Sequence, residues 1–213
     1  MSNYQSPSPN HLIPNATVCN AIFKKSIADY HITDDVDAML VLPFAPSSFE
    51  NLLYQKNWID TVQWHLEDII RATDINSTEL VAIKRRIDAS NQDRTDRVEQ
   101  IDDVFVAAFA NVQAQSAARL NSETIGWLLD RMSILQLKVY HMAEQVARTD
   151  AAAEHTARCT AKLNILLEQE QDMAQCYDEL VAEIQNGSLR FKVYRQMKMY
   201  NDASLNPVLY KNL

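Results

Sequence analysis

Apolar positions recur along this chain in alternating steps of three and four, the period of one helix face. Val18, Ile22, Phe23, Ile27 and Tyr30 predict a first helix over residues 16–31. Phe49, Leu52, Ile59, Val62, Leu66 and Ile69 predict a second, capped by Ser47 with Glu50 three residues on and running to about Thr73. A third seam steps from Leu80 through Lys84, Ile87, Asn91, Arg94, Val98, Ile101, Phe105 and Ala108 to Val112. It predicts one long helix from an Asn76 cap, boxed by Glu79, to about Leu120, with a kink near Asn91–Asp93. The fourth helix starts at Asn121 or Ser122 and carries Ile125, Leu128, Met132, Leu135, Val139, Met142 and Val146. After a break near Thr149–Asp150, with Asp150 as the new N-cap, the fifth carries Cys159, Leu163, Leu166, Glu170, Met173, Tyr177, Leu180 and Ile184. Gly187 ends it. A short basic helix over about 188–200 follows.

The predicted fold is therefore all-α, a bundle of four to five long helices with an N-terminal helix and a short basic C-terminal helix. Residues 1–14, rich in Ser, Pro and Asn, read as a disordered tail, and 15–213 as a single helical-bundle domain. The apolar run Met39–Phe44, held between acidic residues and two prolines, reads as a connector across one end of the bundle. Composition agrees: the chain has two glycines, and no proline lies between Phe49 and Asn206, whereas sheet turns rely on both residue types.

Charge and cysteine content narrow the function classes. The net charge of −8 argues against general nucleic-acid binding. Residues 187–213 reverse the sign, with five basic side chains against one acidic. Arg190, Lys192, Arg195 and Lys198 are expected to dock on the acidic body, with an RNA or phosphate contact as the lesser reading. Three widely spaced cysteines give no disulfide framework, and no apolar run is long enough to span a membrane. The expected setting is cytoplasmic.

The candidate chemistry lies where the third seam turns polar, because a charge on a packed face needs partners or water. Lys84, Asn91 and Arg94 sit on that seam, with Asp88 one turn from Lys84. The second helix adds Asn57, Asp60, Trp64, Glu67 and Arg71 beside its apolar stripe, and His65 with Asp68. The fourth adds Trp127, Arg131, Lys138 and His141. If these rows converge, Lys84, Asn91, Arg94, Arg131, Lys138, His141, His65 and Trp64 form a site for a small phosphorylated or carboxylated metabolite, since arginine forks match such groups. Glu67, Asp68 and Asp88 are then the candidate orienting or acid–base carboxylates. They make Mg²⁺ a candidate ion, while no other cofactor is expected. Spacing supplies no transition-metal ligand set: Glu-x-x-His is absent, and His155 with Cys159 has no second pair to complete four ligands. The alternative is a non-enzymatic interaction or scaffold module, homodimeric through its seams, in which the polar positions set register.

Four segments, WHLEDIIR (64–71), KRRIDASNQDRTDRVEQID (84–102), DRMSILQLKVYHM (130–142) and FKVYRQMKMYND (191–202), resemble an uncharacterised bacterial family known as a domain of unknown function. The resemblance implies an all-helical bacterial cytoplasmic protein over nearly the whole chain after the first fifteen residues. It brings no catalytic residues.

Overall fold

The computed structural model describes residues 13–197 and 202–211. The expected disorder of the first residues, together with Lys198 of the basic tail, falls outside that range, apart from Ile13 and Pro14. Five helices of 15 to 33 residues make the body: α1 (Ala16–Tyr30), α2 (Phe49–Ile69), α3 (Ser77–Ala108), α4 (Ile125–Ala147) and α5 (Ala153–Gln185). Two short strands, β1 (Arg119–Leu120) and β2 (Leu189–Arg190), pair in parallel, and a one-turn helix α6 (Pro207–Tyr210) follows. The all-α bundle expected from the periodicity is the fold.

α4 is the central element, packing against α1, α2, α3 and α5, and α2 packs against α1, α3 and α4; the most extensive helix pair among the described residues is α4–α5. The main core joins Phe23, Tyr30, Leu53, Tyr54, Ile101, Phe105, Leu129 and Tyr177, all fully buried. Phe49 meets Phe105 edge-on, with ring centroids 5.6 Å apart. A smaller cluster of Leu66, Ile83 and Ile87 closes the α2–α3 end.

Several boundaries differ from the sequence expectation. α2 is capped by Ser48 rather than Ser47, its hydroxyl accepting from Asn51 N at 3.1 Å. Asn76 caps α3 as expected, accepting from Glu79 N at 2.9 Å. α3 runs unbroken from Ser77, but it stops at Ala108 and not near Leu120. Beyond Phe109 the sequence has no apolar stripe to bury, and its backbone is used elsewhere. Gln115 N donates to Gly187 O at 2.9 Å, and Asn121 N donates to Arg190 O at 2.8 Å. The same pairing corrects the expected helix at 188–200: over 188–197 the chain forms β2 and an extended stretch. Gly187, at φ 77°, makes the left-handed turn that ends α5. α4 begins after Thr124, and α5 has Ala152 at its N-cap, so Asp150 is no cap.

α3 and α4 cross closely. Asp102 of α3 accepts from Thr124 Oγ1 at 2.7 Å and Gly126 N at 2.8 Å, placing a carboxylate at the α4 N-terminus, where the helix dipole favours it. A Cβ on Gly126 would lie 2.7 Å from both Asp102 Oδ1 and Val98 O, so only glycine fits. The basic tail docks as expected at Arg195, which bonds Glu99 at 3.3 Å and Asp103 at 2.5 Å on α3. The Met39–Phe44 connector packs only in part: Leu40 and Phe44 touch the core, while Met39 and Val41 are 85% and 74% exposed.

Candidate functional site

Two polar assemblies meet α2, one inside the bundle and one at its edge. The inner one is built from Lys56, Asn57 and Asp60 of α2, Arg94 of α3, and Asp130 and Ser133 of α4. Lys56 Nζ, fully buried, donates to Asp60 and lies 2.8 Å from Asp130 Oδ1. Arg94 grips Asp130 with both arms of its guanidinium, Nε to Oδ1 at 2.7 Å and Nη2 to Oδ2 at 2.5 Å. Ser133 Oγ donates to Asp60 at 2.6 Å and accepts from Asn57 Nδ2 at 2.9 Å. Two cations thus face two carboxylates, while Asn57 Oδ1 and Asp60 Oδ1 accept no hydrogen bond and Arg94 Nε stands 3.5 Å from the latter.

The electrostatics of the two acids differ in sign. Burial pushes the Asp60 carboxyl above its ordinary range, and Lys56 opposes this only in part. Burial acts the same way on Asp130, but Lys56 and the Arg94 fork outweigh it and hold that carboxyl low.

A cleft opens outward from this network. Its inner lobe, of 270 Å³, is lined by Asp60, Arg94, Trp64, Glu67, Asp68 and Arg71 among others. A second lobe, of 560 Å³, shares Trp64 and Asp68 with it and continues between α4 and α5. Lys138, His141, Met142, Gln145, Lys162, Ile165 and Leu166 complete its wall. Lys138 and Lys162 form no ion pair with any described residue, whereas Arg71 is tied to Glu67 at 2.9 Å and Arg94 to Asp130.

The edge assembly is aromatic. Trp64 stacks on His141 at 4.8 Å and 13°. Tyr30 stacks on His65 at 5.1 Å and 19°, and His31 lies 4.3 Å from the ring of Tyr140. The three imidazoles of His31, His65 and His141 converge, and Asp34 stands over two of them. Burial lowers the proton affinity of His65, with Asp34 opposing.

The expected site therefore assembles only in part. Arg94, Trp64, Glu67 and Asp68 reach the inner lobe, and Lys138 and His141 the outer one. His65 joins the edge cluster. Asn91 turns to α2 instead, accepting from Gln63 Nε2 at 3.0 Å. Lys84 and Asp88 do not converge with the rest: they pair with each other on an exposed face, because the buried stripe of α3 starts at Ile83 and not at Leu80. Arg131 is exposed and bonds Glu123 at 2.7 Å, outside both lobes. Sequence reading missed Lys56, Asp130, Ser133, Lys162, His31 and Asp34. Lys56 is four residues before Asp60, a signal indistinguishable from an ordinary surface pair. Asp130 follows Trp127, Leu128 and Leu129, and that apolar setting was the available clue.

Comparison with known proteins adds a family without a chemistry. The profile of a family described as "Protein of unknown function (DUF4254)" matches residues 50–193. That stretch runs from α2 through β2 and holds both cleft lobes, His65 and His141, while His31 and Asp34 precede it. No curated protein and no solved structure matches the chain.

Proposed function

We propose that this chain, which belongs to the DUF4254 family, binds a small amphipathic anion in the outer lobe of the cleft between α2, α4 and α5. The observation that carries the reading is the pair Lys138 and Lys162, two cations without an ion pair among the described residues, on a wall that joins apolar Trp64, Met142, Ile165 and Leu166 to His141, Gln145 and Asp68. A phosphate or carboxylate attached to an apolar or aromatic body matches such a surface: the charge meets the ammonium groups and the body covers the side chains. The 560 Å³ volume lies within the range of about 300–1,000 Å³ usual for small-ligand sites. Asp68, shared by both lobes, is the carboxylate in place to orient a hydroxyl of the ligand or to hold a Mg²⁺ that bridges to a phosphate. This reading assigns binding and no reaction.

Thermal-shift measurements with phenyl phosphate, octanoate and inorganic phosphate, each with and without Mg²⁺, test it. The expected result is stabilisation by the amphipathic anions, little by inorganic phosphate, and loss of the effect in Lys138→Ala/Lys162→Ala. Equal shifts in that variant, or none in the parent, reject the reading.

One observation favours a second reading, an interaction module. Ile32, Met39 and Val41 expose a contiguous run of apolar side chains around a 390 Å³ hollow at the α1–α2 connection. A concentration-dependent dimer by light scattering, abolished by Met39→Glu, would support it over a monomer with a ligand cleft.

A further inference from the structure

The edge cluster carries an inference that does not depend on the anion cleft. His31 is the C-cap of α1, Asp34 follows three residues later, His65 comes from α2 and His141 from α4. One ring nitrogen from each histidine lies within 4.8 Å of the other two. His31 Nε2 and His65 Nε2 are 3.3 Å apart. Two nitrogens bound to one tetrahedral zinc at about 2.0–2.1 Å are separated by about 3.3–3.4 Å, so this pair already has the spacing of a ligand edge. Asp34 Oδ1 lies 3.7 Å from His65 Nε2 and 4.0 Å from His31 Nε2.

The outer contacts of His31 and His141 are those of metal-bound histidines. His31 Nδ1 is 2.7 Å from the carbonyl of Ile27, so it donates there and leaves the Nε2 lone pair available. His141 Nδ1 is 2.9 Å from Glu144 Oε2, the carboxylate–histidine arrangement that fixes the same tautomer. His141 Nε2 is buried and has no hydrogen-bond partner. A hydrogen bond between His31 and His65 satisfies two of the three inner nitrogens and leaves that one unexplained. Stacking of His141 on Trp64 and of His65 on Tyr30, with the tilted contact of His31 and Tyr140, holds the three rings in place. Asp34 adopts φ 51°, a left-handed conformation costly for a non-glycine residue, which brings its carboxylate back over the histidines.

We propose that His31, His65 and His141, through Nε2, and Asp34, through its carboxylate, bind one divalent transition-metal ion of the zinc class. Three imidazoles and a single carboxylate suit zinc, and not Mg²⁺ or Ca²⁺, which take mainly oxygen ligands. The ligands come from the C-terminal cap and turn of α1, from α2 and from α4, so the ion ties together three helices at one end of the bundle. His141 also lines the outer lobe of the cleft, which places the ion beside it.

The test uses the full-length, tag-free protein stripped of metal with a chelator. Cobalt(II) is titrated and its visible absorption followed, and zinc is then added to displace it. The expected result is one equivalent bound with the intense absorption of a tetrahedral site, displaced by zinc, and a higher melting temperature with zinc. His65→Gln and His141→Gln should each weaken binding at least about 100-fold, and Glu144→Gln by about 10- to 100-fold. Asp34→Gly suits the left-handed backbone, so it keeps the fold whatever happens in the histidine variants; its cobalt spectrum should change and its affinity fall. His155→Ala removes the separate His155–Cys159 contact and should change nothing. A weakly absorbing octahedral spectrum, an unchanged spectrum in Asp34→Gly, binding that survives His65→Gln, or binding that depends on His155 overturns the assignment. Because the readout is cobalt absorption, its failure is distinct from a failure of anion binding.

Discussion

The two polar assemblies against α2 show how differently buried charge and unfilled coordination appear. The inner network holds four full charges, yet nearly every one is spent on another: Lys56 on Asp60 and Asp130, Arg94 on Asp130. The edge cluster holds neutral rings and one carboxylate, with less formal charge. Even so, His141 Nε2 is left without a partner, and Asp34 is held in a strained conformation above its neighbours. A charged residue on a packed face therefore points first to structure, because its partners are what make it tolerable there. Binding capacity is better indicated where an unpartnered atom faces other potential ligand atoms, as His141 Nε2 faces His31 and His65, than by the unbonded Asn57 Oδ1 and Asp60 Oδ1, which sit inside a network of paired charges.

The sharpest way to break this contrast is Asp130→Asn. It leaves Lys56 and Arg94 sharing one buried carboxylate, and urea unfolding should show a loss of about 3–5 kcal/mol. A loss below about 1 kcal/mol would mean that water already reaches the network. The contrast is sharpened next by following the side-chain carboxyl carbons with pH. Asp60 should titrate above the ordinary aspartate value and Asp130 below it. The stability contributions then have opposite signs. With its lowered folded pKa, Asp130 stabilises above the unfolded value near 3.8, an effect lost as pH falls through the folded pKa. Asp60, with its raised folded pKa, favours folding in the protonated form, and that contribution fades as pH rises from the unfolded value through the folded one. Matching titrations of the two acids would remove the asymmetry.

Smaller effects belong to the cleft and the surface. Lys138→Ala/Lys162→Ala should alter stability by no more than about 0.5 kcal/mol, since neither lysine has an ionic partner among the described residues to lose. A large destabilisation there would make these lysines structural. Lys84→Ala should cost only a few tenths of a kcal/mol, because its pair with Asp88 is solvent-exposed on both sides. A cost near that of Asp130→Asn would return Lys84 to the network from which the packing excludes it.

The candidate site was half legible for a specific reason. Reading one apolar stripe per helix treats everything beside the stripe as solvent-facing. That holds for α5, and for α3 except at Thr95 and Asp102. It fails for α2 and α4, which are packed on more than one side, so that Lys56, Asn57, Asp60, Asp130 and Ser133 are all buried beside Leu53, Trp58 and Leu129. A Lys–Asp pair four apart has the same spelling at Lys56–Asp60 as at Lys84–Asp88; the first is buried and the second exposed. The edge cluster was less legible still, because each helix supplies a single imidazole and no spacing rule links His31, His65 and His141.

By itself the sequence determined the five long helices, the Asn76 cap of α3, the break between α4 and α5, the glycine that ends α5 and the docking of the basic tail through Arg195. These follow from local propensity, periodicity and net charge, all of which act within a few residues or through composition. Tertiary structure decided where α3 ends, which faces of α2 and α4 are covered, and which polar side chains meet. The backbone after Phe109 is drawn into pairing with residues 187–190, and polar contacts join residues far apart in the chain, such as Asp102 with Thr124, 22 positions apart, and Ala16 with Asp178, 162 apart. Such pairings depend on how helices cross and rotate against one another, and a one-dimensional pattern of apolar positions carries that rotation only for a helix with a single buried face.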